Sequence, residues 1–370
     1  MNKSLLSAVC LACVPGLAQA AEIKLSGQVN KSIVAFDDGR DTEVVFADNN
    51  ISKTKFALEG EQELDNGLTA SVLLSSYVSG NRSNAFSQNT TTGQSSTPTA
   101  GAATLQEEMT RVGLAGRYGA VFIGFQDTAI DDAFYHDLGA ASDVLTNGFT
   151  SHGGGLGFRA SNGGALVNLG GSLATPVAMS LAFDGSTERL AGVRFNSASW
   201  NGFNFSVSDS QGGDIDTNLR YANTYGSEWT VDSAVGLAFE NNTATGTDVP
   251  EYTWNASASV KHASGVAATV AYLKQTLERK TAGKQEPEGL YVKLSYAQGP
   301  WGVGVDYANV DNPVAAATVD HSMNVFGLGA QYDLGHGVSL AALYRMYDAD
   351  ITGTPTEDIN VYALNMKVTF

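Results

Sequence analysis

The hydrophobic and polar positions of this chain alternate with a period of two. In the last ten residues Tyr362, Leu364, Met366, Val368 and Phe370 share one face, and Ala363, Asn365, Lys367 and Thr369 the other. Trp301, Val303, Val305 and Tyr307 oppose Gly302, Gly304 and Asp306. Leu290, Val292, Leu294 and Tyr296 oppose Tyr291, Lys293 and Ser295, and Tyr252, Trp254, Ala256, Ala258 and Val260 oppose Thr253, Asn255, Ser257, Ser259 and Lys261. Segments of about ten residues with this period, with aromatics toward the ends of the apolar face, are the pattern of strands that cross a membrane in a closed barrel. A chain ending on an aromatic residue within such a strand points to a strand that closes the barrel, because ends of soluble domains tend to fray.

The punctuation between segments comes in two sizes. Short turns at 65–67, 118–119, 201–202, 226–227, 264–265, 299–300 and 335–337 carry the Gly and Asn that tight hairpins need. Longer polar loops are expected at 39–50, 80–103, 241–249, 280–286, 312–318 and 352–357. Short turns on one rim and long loops on the other are the membrane-barrel arrangement, and strands laid between them number about sixteen. The expected strands begin at 22–36, 51–63, 68–79, 105–117 and 121–127, and resume from residue 189 to the terminal Phe370. Residues 128–188 are too long for an ordinary loop. They start acidic (Asp131, Asp132, Asp137), pass through glycines at 153–157 and end in weak alternation. The expectation is an insert folded into the lumen after the fifth strand. The alternative makes 166–183 a further hairpin and the barrel eighteen-stranded. Lys31 breaks the apolar phase of the first strand, which suggests a subunit contact or a bulge.

Composition then narrows the setting. Residues 1–20 read as a secretory signal peptide, with Lys3 as the charged region, an apolar run from Leu5 to Leu17 and Ala18-Gln19-Ala20 as the cleavage site. The secretory translocon is thus an expected partner, and residues 21–370 form one barrel domain. Both cysteines, Cys10 and Cys13, fall in the signal, which leaves the mature chain no disulfide or thiolate metal site; neither sits in a convincing lipoprotein acylation context. The formal charge is −17, and the loss of Lys3 makes it one unit more negative. Such a chain repels nucleic acid.

Several segments together resemble the general diffusion porins of Gram-negative proteobacteria: Glu22 to Asn30 leading to Asp37-Asp38-Gly39, Phe46 to Asn50 into Lys53 to Gly60, Asp65 to Ala70, Arg111 to Gly119 into Gly124-Phe125-Gln126, and the terminal Phe370. The resemblance implies a homotrimer in the outer membrane, surrounded by its lipid and inserted by the barrel-assembly machinery. It also implies a water-filled channel for passive diffusion of small hydrophilic solutes and ions, narrowed by the insert. By that resemblance Asp131, Asp132 and Asp137 form the acidic side of the constriction. The basic side comes from strands one to four, where alternation puts Lys24, Lys53, Lys55, Arg111 and Arg117 on the polar face. The negative balance favours cations.

Other chemistry finds little support. His152-Gly153-Gly154-Gly155 resembles an esterase oxyanion motif, but no Gly-x-Ser-x-Gly elbow accompanies it, so the glycines read as loop flexibility and no enzyme is expected. The five histidines lack zinc spacing. No cofactor is expected, with Ca²⁺ at the acidic loop of Asp37, Asp38 and Asp41 as the alternative to a solvated loop. Two further classes compete with diffusion: a recognition barrel with a lumenal binding site, and an exported soluble all-β protein.

Overall fold

The computed structural model describes residues 22–88, 104–161, 163–169, 189–241, 248–314, 317 and 319–370. The signal segment and residues 170–188 of the insert, with most of the alternative hairpin at 166–183, lie outside these.

The chain forms a closed antiparallel barrel. Its strands are β1 (Glu22–Asp37), β2 (Thr42–Asp48), β3 (Lys55–Glu63), β4 (Thr69–Ser79), β5 (Thr104–Gly116), β6 (Gly119–Asp127), β7 (Arg189–Ser197), β8 (Phe203–Ser210) and β9 (Ile215–Tyr225). They continue with β10 (Trp229–Phe239), β11 (Val249–His262), β12 (Val266–Glu278), β13 (Glu288–Gln298), β14 (Trp301–Asp311), β15 (His321–Gly335), β16 (Val338–Ile351) and β17 (Ile359–Thr369). One side of β1 pairs with β2 through its second half and with β3 through its first. These two are halves of a single stave, so the seventeen segments make sixteen staves. The other side of β1 pairs with β17, Gln28 opposite Thr369 through Asp37 opposite Asn360, and this removes both sheet edges. Closure matters because an unpaired backbone N–H or C=O facing hydrocarbon costs several kcal/mol, so only closed sheets and helices span bilayers. Among the described residues no helix is long and apolar enough to do so.

The outward positions carry the expected apolar residues, among them Ile23, Leu25, Val29, Val112, Leu114, Leu294 and Leu364, all exposed. Along the 11 residues of β10, Trp229 and Phe239 mark the two ends of the outward face. At about 3.3 Å per residue and a tilt near 40° this spans about 25 Å, the height of a barrel's apolar band. Aromatic pairs at one rim, Trp229 with His262 and Trp301 with Tyr332, have ring centroids 4.5 Å apart.

The second stave differs from the sequence expectation. Residues 42–48 are strand rather than loop, and the break falls at 49–54. Val45 and Ala47 face inward and are buried, so both faces of this short segment are apolar and alternation hides it. At the break the chain drops to the inside of β1: Gln28 Nε2 donates to Ser52 O at 2.9 Å and Lys53 O at 2.8 Å, and Asn30 Nδ2 donates to Ser52 O at 2.7 Å. Lys31 stands on the outer wall beside this break, ion-paired with Asp48.

The terminal Phe370 closes the seam. Its N–H donates to Gly27 O at 2.9 Å, and Gly27 N–H donates to its carbonyl at 3.0 Å. A Cβ on Gly27 would stand 2.6 Å from the Phe370 ring and 2.9 Å from Lys55 O, so only glycine admits this ring. Gly27→Val and removal of Phe370 are each expected to lower the folded, heat-modifiable form in unboiled SDS gels severalfold. Normal assembly of both variants would show that the seam does not depend on this contact.

Candidate functional site

The lumen is divided by residues 128–169. A 3-10 turn at Asp131–Phe134 begins the insert, which then runs along the inner wall of β8 to β17. Its backbone is held by serines at inward positions. Ala129 N–H donates to Ser208 Oγ (2.7 Å), His136 N–H to Ser257 Oγ (3.2 Å), Leu138 N–H to Ser259 Oγ (2.9 Å) and Ala140 N–H to Ser295 Oγ (2.9 Å), while Ser257 Oγ donates to Ala133 O (2.7 Å). A chain with few internal hydrogen bonds thereby satisfies its polar groups on the wall.

The inner wall here is not polar throughout. Leu273, Val310, Met323, Val325, Leu343, Val361 and Ala363 point inward and pack on Phe134, Val144, Leu145, Phe149, Leu156 and Phe158 of the insert. This half of the barrel therefore has a dry core in place of a water-filled wall. The glycines at 153–155 serve close approach rather than flexibility: a Cβ on Gly155 would meet Phe86 O at 2.4 Å. Arg159 of the insert reaches Asp38 at 2.7 Å with both side chains buried, tying the insert to the first loop.

Three ion pairs cross this core. Lys293 Nζ meets Asp137 Oδ2 at 2.7 Å, and that carboxylate also accepts from Thr269 Oγ1 at 2.7 Å. Lys367 pairs with Asp143. Arg345 Nη2 donates to Asp306 Oδ2 at 2.7 Å and Nη1 to Phe149 O at 3.0 Å; its side chain and that of Asp306 are each 1% exposed. Tyr347 Oη adds donor contacts to Phe149 O (2.8 Å) and His152 O (2.6 Å).

The residues singled out from the sequence fall as follows. Lys24 points inward near the short-turn rim. Lys53 lies over the Tyr77 ring at 4.1 Å, Lys55 pairs with the buried Glu108 at 3.1 Å, and Arg111 stacks on Phe122 at 4.4 Å. Arg117 lies at the β5–β6 turn, stacked on Tyr118 and outside the narrow section. Asp131 and Asp132 belong to the 3-10 turn. Asp137 is turned to Lys293 on the strand behind it, not to the lysines and arginines of the second and fourth staves.

Sequence reasoning missed Lys293, Asp306, Arg345, Asp143 and Lys367, and missed the inward serines. The alternation of Ser257 and Ser259 was legible, but nothing in it indicated a docked chain. On the open side Arg194 donates to the carbonyls of Asp127 (3.1 Å) and Thr128 (3.0 Å). Arg220 binds Asp232 through two bonds of 2.9 and 2.8 Å, and His136 Nδ1 stands 3.2 Å from Asp232. Among the described residues no three His, Cys, Asp or Glu side chains converge as a metal site.

Two predictions test how the insert is held. Arg345→Met strands the Asp306 carboxylate in a dry site, a loss of about 3–5 kcal/mol. Proteolysis within residues 128–169 should then accelerate, and pairing it with Asp306→Leu should restore much of the protection; unchanged cleavage in the single variant would contradict a structural role. His152 is held at about 3, below the ordinary imidazole value of 6.5, first by burial and then by the Arg345 charge. A depressed folded value means that docking keeps its full stability above pH 6.5 and loses it as pH falls toward 3. Acidification should therefore expose the insert to an acid-active protease, and His152→Leu should flatten that slope.

The fold and the comparisons agree. A family model described as Gram-negative porin matches residues 6–352. No curated protein sequence matches the chain. Among solved structures, the anion-selective porin from Comamonas acidovorans is 14% identical with a TM-score of 0.63, over 95% of this chain and all of that one. The trimer form of OmpT, an outer membrane protein of Vibrio cholerae, is 11% identical with a TM-score of 0.60 over 95% of this chain and 100% of its own. The outer membrane channel DcaP of Acinetobacter baumannii is 10% identical with a TM-score of 0.55 over 95% and 97%. A sixteen-stave barrel with an inward segment, matched by the family model over nearly its whole length, places the chain in the outer membrane and makes it a member of the Gram-negative porins.

Proposed function

We propose that this porin is a permanently open diffusion channel for small hydrophilic solutes and ions, without catalysis or cofactor, and that the described part of the insert, within 128–169, forms its constriction. The observation that carries the reading is the docking of the insert. Its amides are taken by wall serines and its acids by the buried Lys293 and the half-buried Lys367. A segment held at so many points along one half of the lumen narrows the passage without acting as a flap.

The same contacts bear on ion preference. Asp137 and Asp143 are nearly fully buried against Lys293 and Lys367, so they do not project a negative field into the passage. The overall acidity that favours cations lies partly elsewhere, as at the exposed Asp41 of an outer loop, and exposed charges are screened beyond about 8–10 Å at physiological salt. The proposed eyelet therefore conducts chloride at least as well as potassium. The relative from Comamonas acidovorans bears the description anion-selective.

Assembly as a homotrimer is part of the proposal. The Lys31–Asp48 pair lies on the outer wall midway along β1, in a cleft of about 660 Å³ lined by Ile33, Phe46, Leu340, Leu364 and Met366. A lysine facing lipid at the bilayer midplane costs about 2–4 kcal/mol, which a covering neighbour removes.

Planar-bilayer recording tests the reading. Ohmic steps grouped in threes, with a reversal potential in a KCl gradient at zero or on the chloride side, are expected. Folded protein without conductance would overturn the diffusion channel, and a potassium-favouring potential would overturn the proposed eyelet.

A further inference from the structure

We propose that a recess on the lumenal wall of β7 to β9, beneath the start of the insert, binds one neutral polyhydroxylated solute of monosaccharide size. This rests on the channel reading above and adds a saturable station to it.

The recess has a volume of about 320 Å³, near the lower end of small-molecule sites. Its wall is a block of inward positions on three neighbouring staves, Asn196, Asn204, Ser206 and Asn218, joined by register: Asn196 pairs with Ser206, and Ser206 with Asn218. Its roof is Tyr135 and His136 of the insert. The block sits close to the short-turn rim, because Asn196 and Asn204 flank the turn between β7 and β8.

Charge decides the class of ligand. The two guanidiniums that border the recess already have protein acceptors. Arg220 is bound bidentately to Asp232, and Arg194 donates to Asn196 Oδ1 at 2.8 Å and to the carbonyls of Asp127 and Thr128. Both guanidiniums thus have donors committed within the protein, and an anion would have to displace those acceptors. What the recess offers instead is the amides of Asn204 and Asn218 and the hydroxyl of Ser206, each both donor and acceptor, while Asn196 Oδ1 is taken by Arg194 Nε. A sugar hydroxyl has the same dual character, and the C–H face of a sugar ring suits an aromatic surface. Tyr135, which lines the recess and is 38% exposed, supplies that surface.

Two polar atoms point independently to an occupant. Asn218 is 6% exposed, and its Oδ1 has no hydrogen-bond partner; His136 Nε2 is likewise buried and unpartnered. Both residues line the recess. One acceptor and one ring nitrogen stand unmatched just behind the surface of a space of ligand size, where a turn of either side chain into the recess would let a hydroxylated solute satisfy them.

The test is single-channel recording with D-glucose added on the short-turn side. Polyethylene glycol of similar size controls for crowding, and potassium gluconate serves as the anionic comparator. Glucose is expected to reduce current saturably, polyethylene glycol only linearly. The double variant Asn204→Ala/Asn218→Ala is expected to raise the half-blocking concentration about tenfold or more, the loss of one or two hydrogen bonds. Tyr135→Leu, on the insert rather than in the barrel, gives the same readout should the double variant fold poorly. Asn223→Ala, outside the recess, should leave the block unchanged. A conducting channel with no saturable block would overturn the recess while leaving the diffusion reading intact. Tighter block by gluconate than by glucose would overturn the neutral class. Folded protein that does not conduct would sink the channel reading, and this inference with it.

Discussion

Everything else in this protein depends on the seam between β1 and β17. Until Gln28 to Asp37 find Asn360 to Thr369, the sheet has two edges of unpaired backbone groups, which hydrocarbon does not tolerate. Once they are joined, every stave has two neighbours, and side chains become free to serve two solvents. The outward set meets lipid or another subunit, and the inward set meets water or the insert. Phe370 lies at the end of this seam, its ring admitted only because residue 27 is glycine.

The barrel wall is asymmetric inside. The staves β12 and β14 to β17 turn leucines, valines and alanines inward, where the insert covers them, and Lys293–Asp137 and Arg345–Asp306 are buried within that cover. The staves from β3 to β9 keep a largely polar inner face of amides, serines, lysines, arginines and carboxylates such as Glu59, Glu61 and Glu108. Buried ion pairs of this kind add little net stability over an apolar alternative, but Lys293–Asp137, which joins wall to insert, penalises misdocking heavily, since it leaves a bare charge if the insert shifts. The insert is thus fixed in position, and the remaining half of the lumen is left for solutes.

Much of the fold was legible because a barrel strand repeats every two residues, and a one-residue slip would exchange its faces. The alternation from Leu290 to Tyr296 and from Trp301 to Tyr307 matches β13 and β14 closely. It failed at residues 42–48, where Val45 and Ala47 point inward onto other protein, so the period lost its contrast. The candidate site was legible only in outline. Lys55 and Arg111 could be assigned to the inner face, but Arg117 was carried to the rim, and the partner of Asp137, Lys293, lies 156 residues away along the chain.

The amino-acid sequence by itself determined the barrel, its sidedness and the extra length after the fifth stave, because these follow from local periodicity and turn chemistry. Only the tertiary structure decided which half of the lumen the insert occupies, which acids it hides and which amides stay open to the passage. Those choices are made by contacts between residues more than a hundred positions apart, such as Leu138 with Ser259 or Asp143 with Lys367. No period or motif in the chain encodes such pairings; they exist once the closed barrel has brought its walls around the insert.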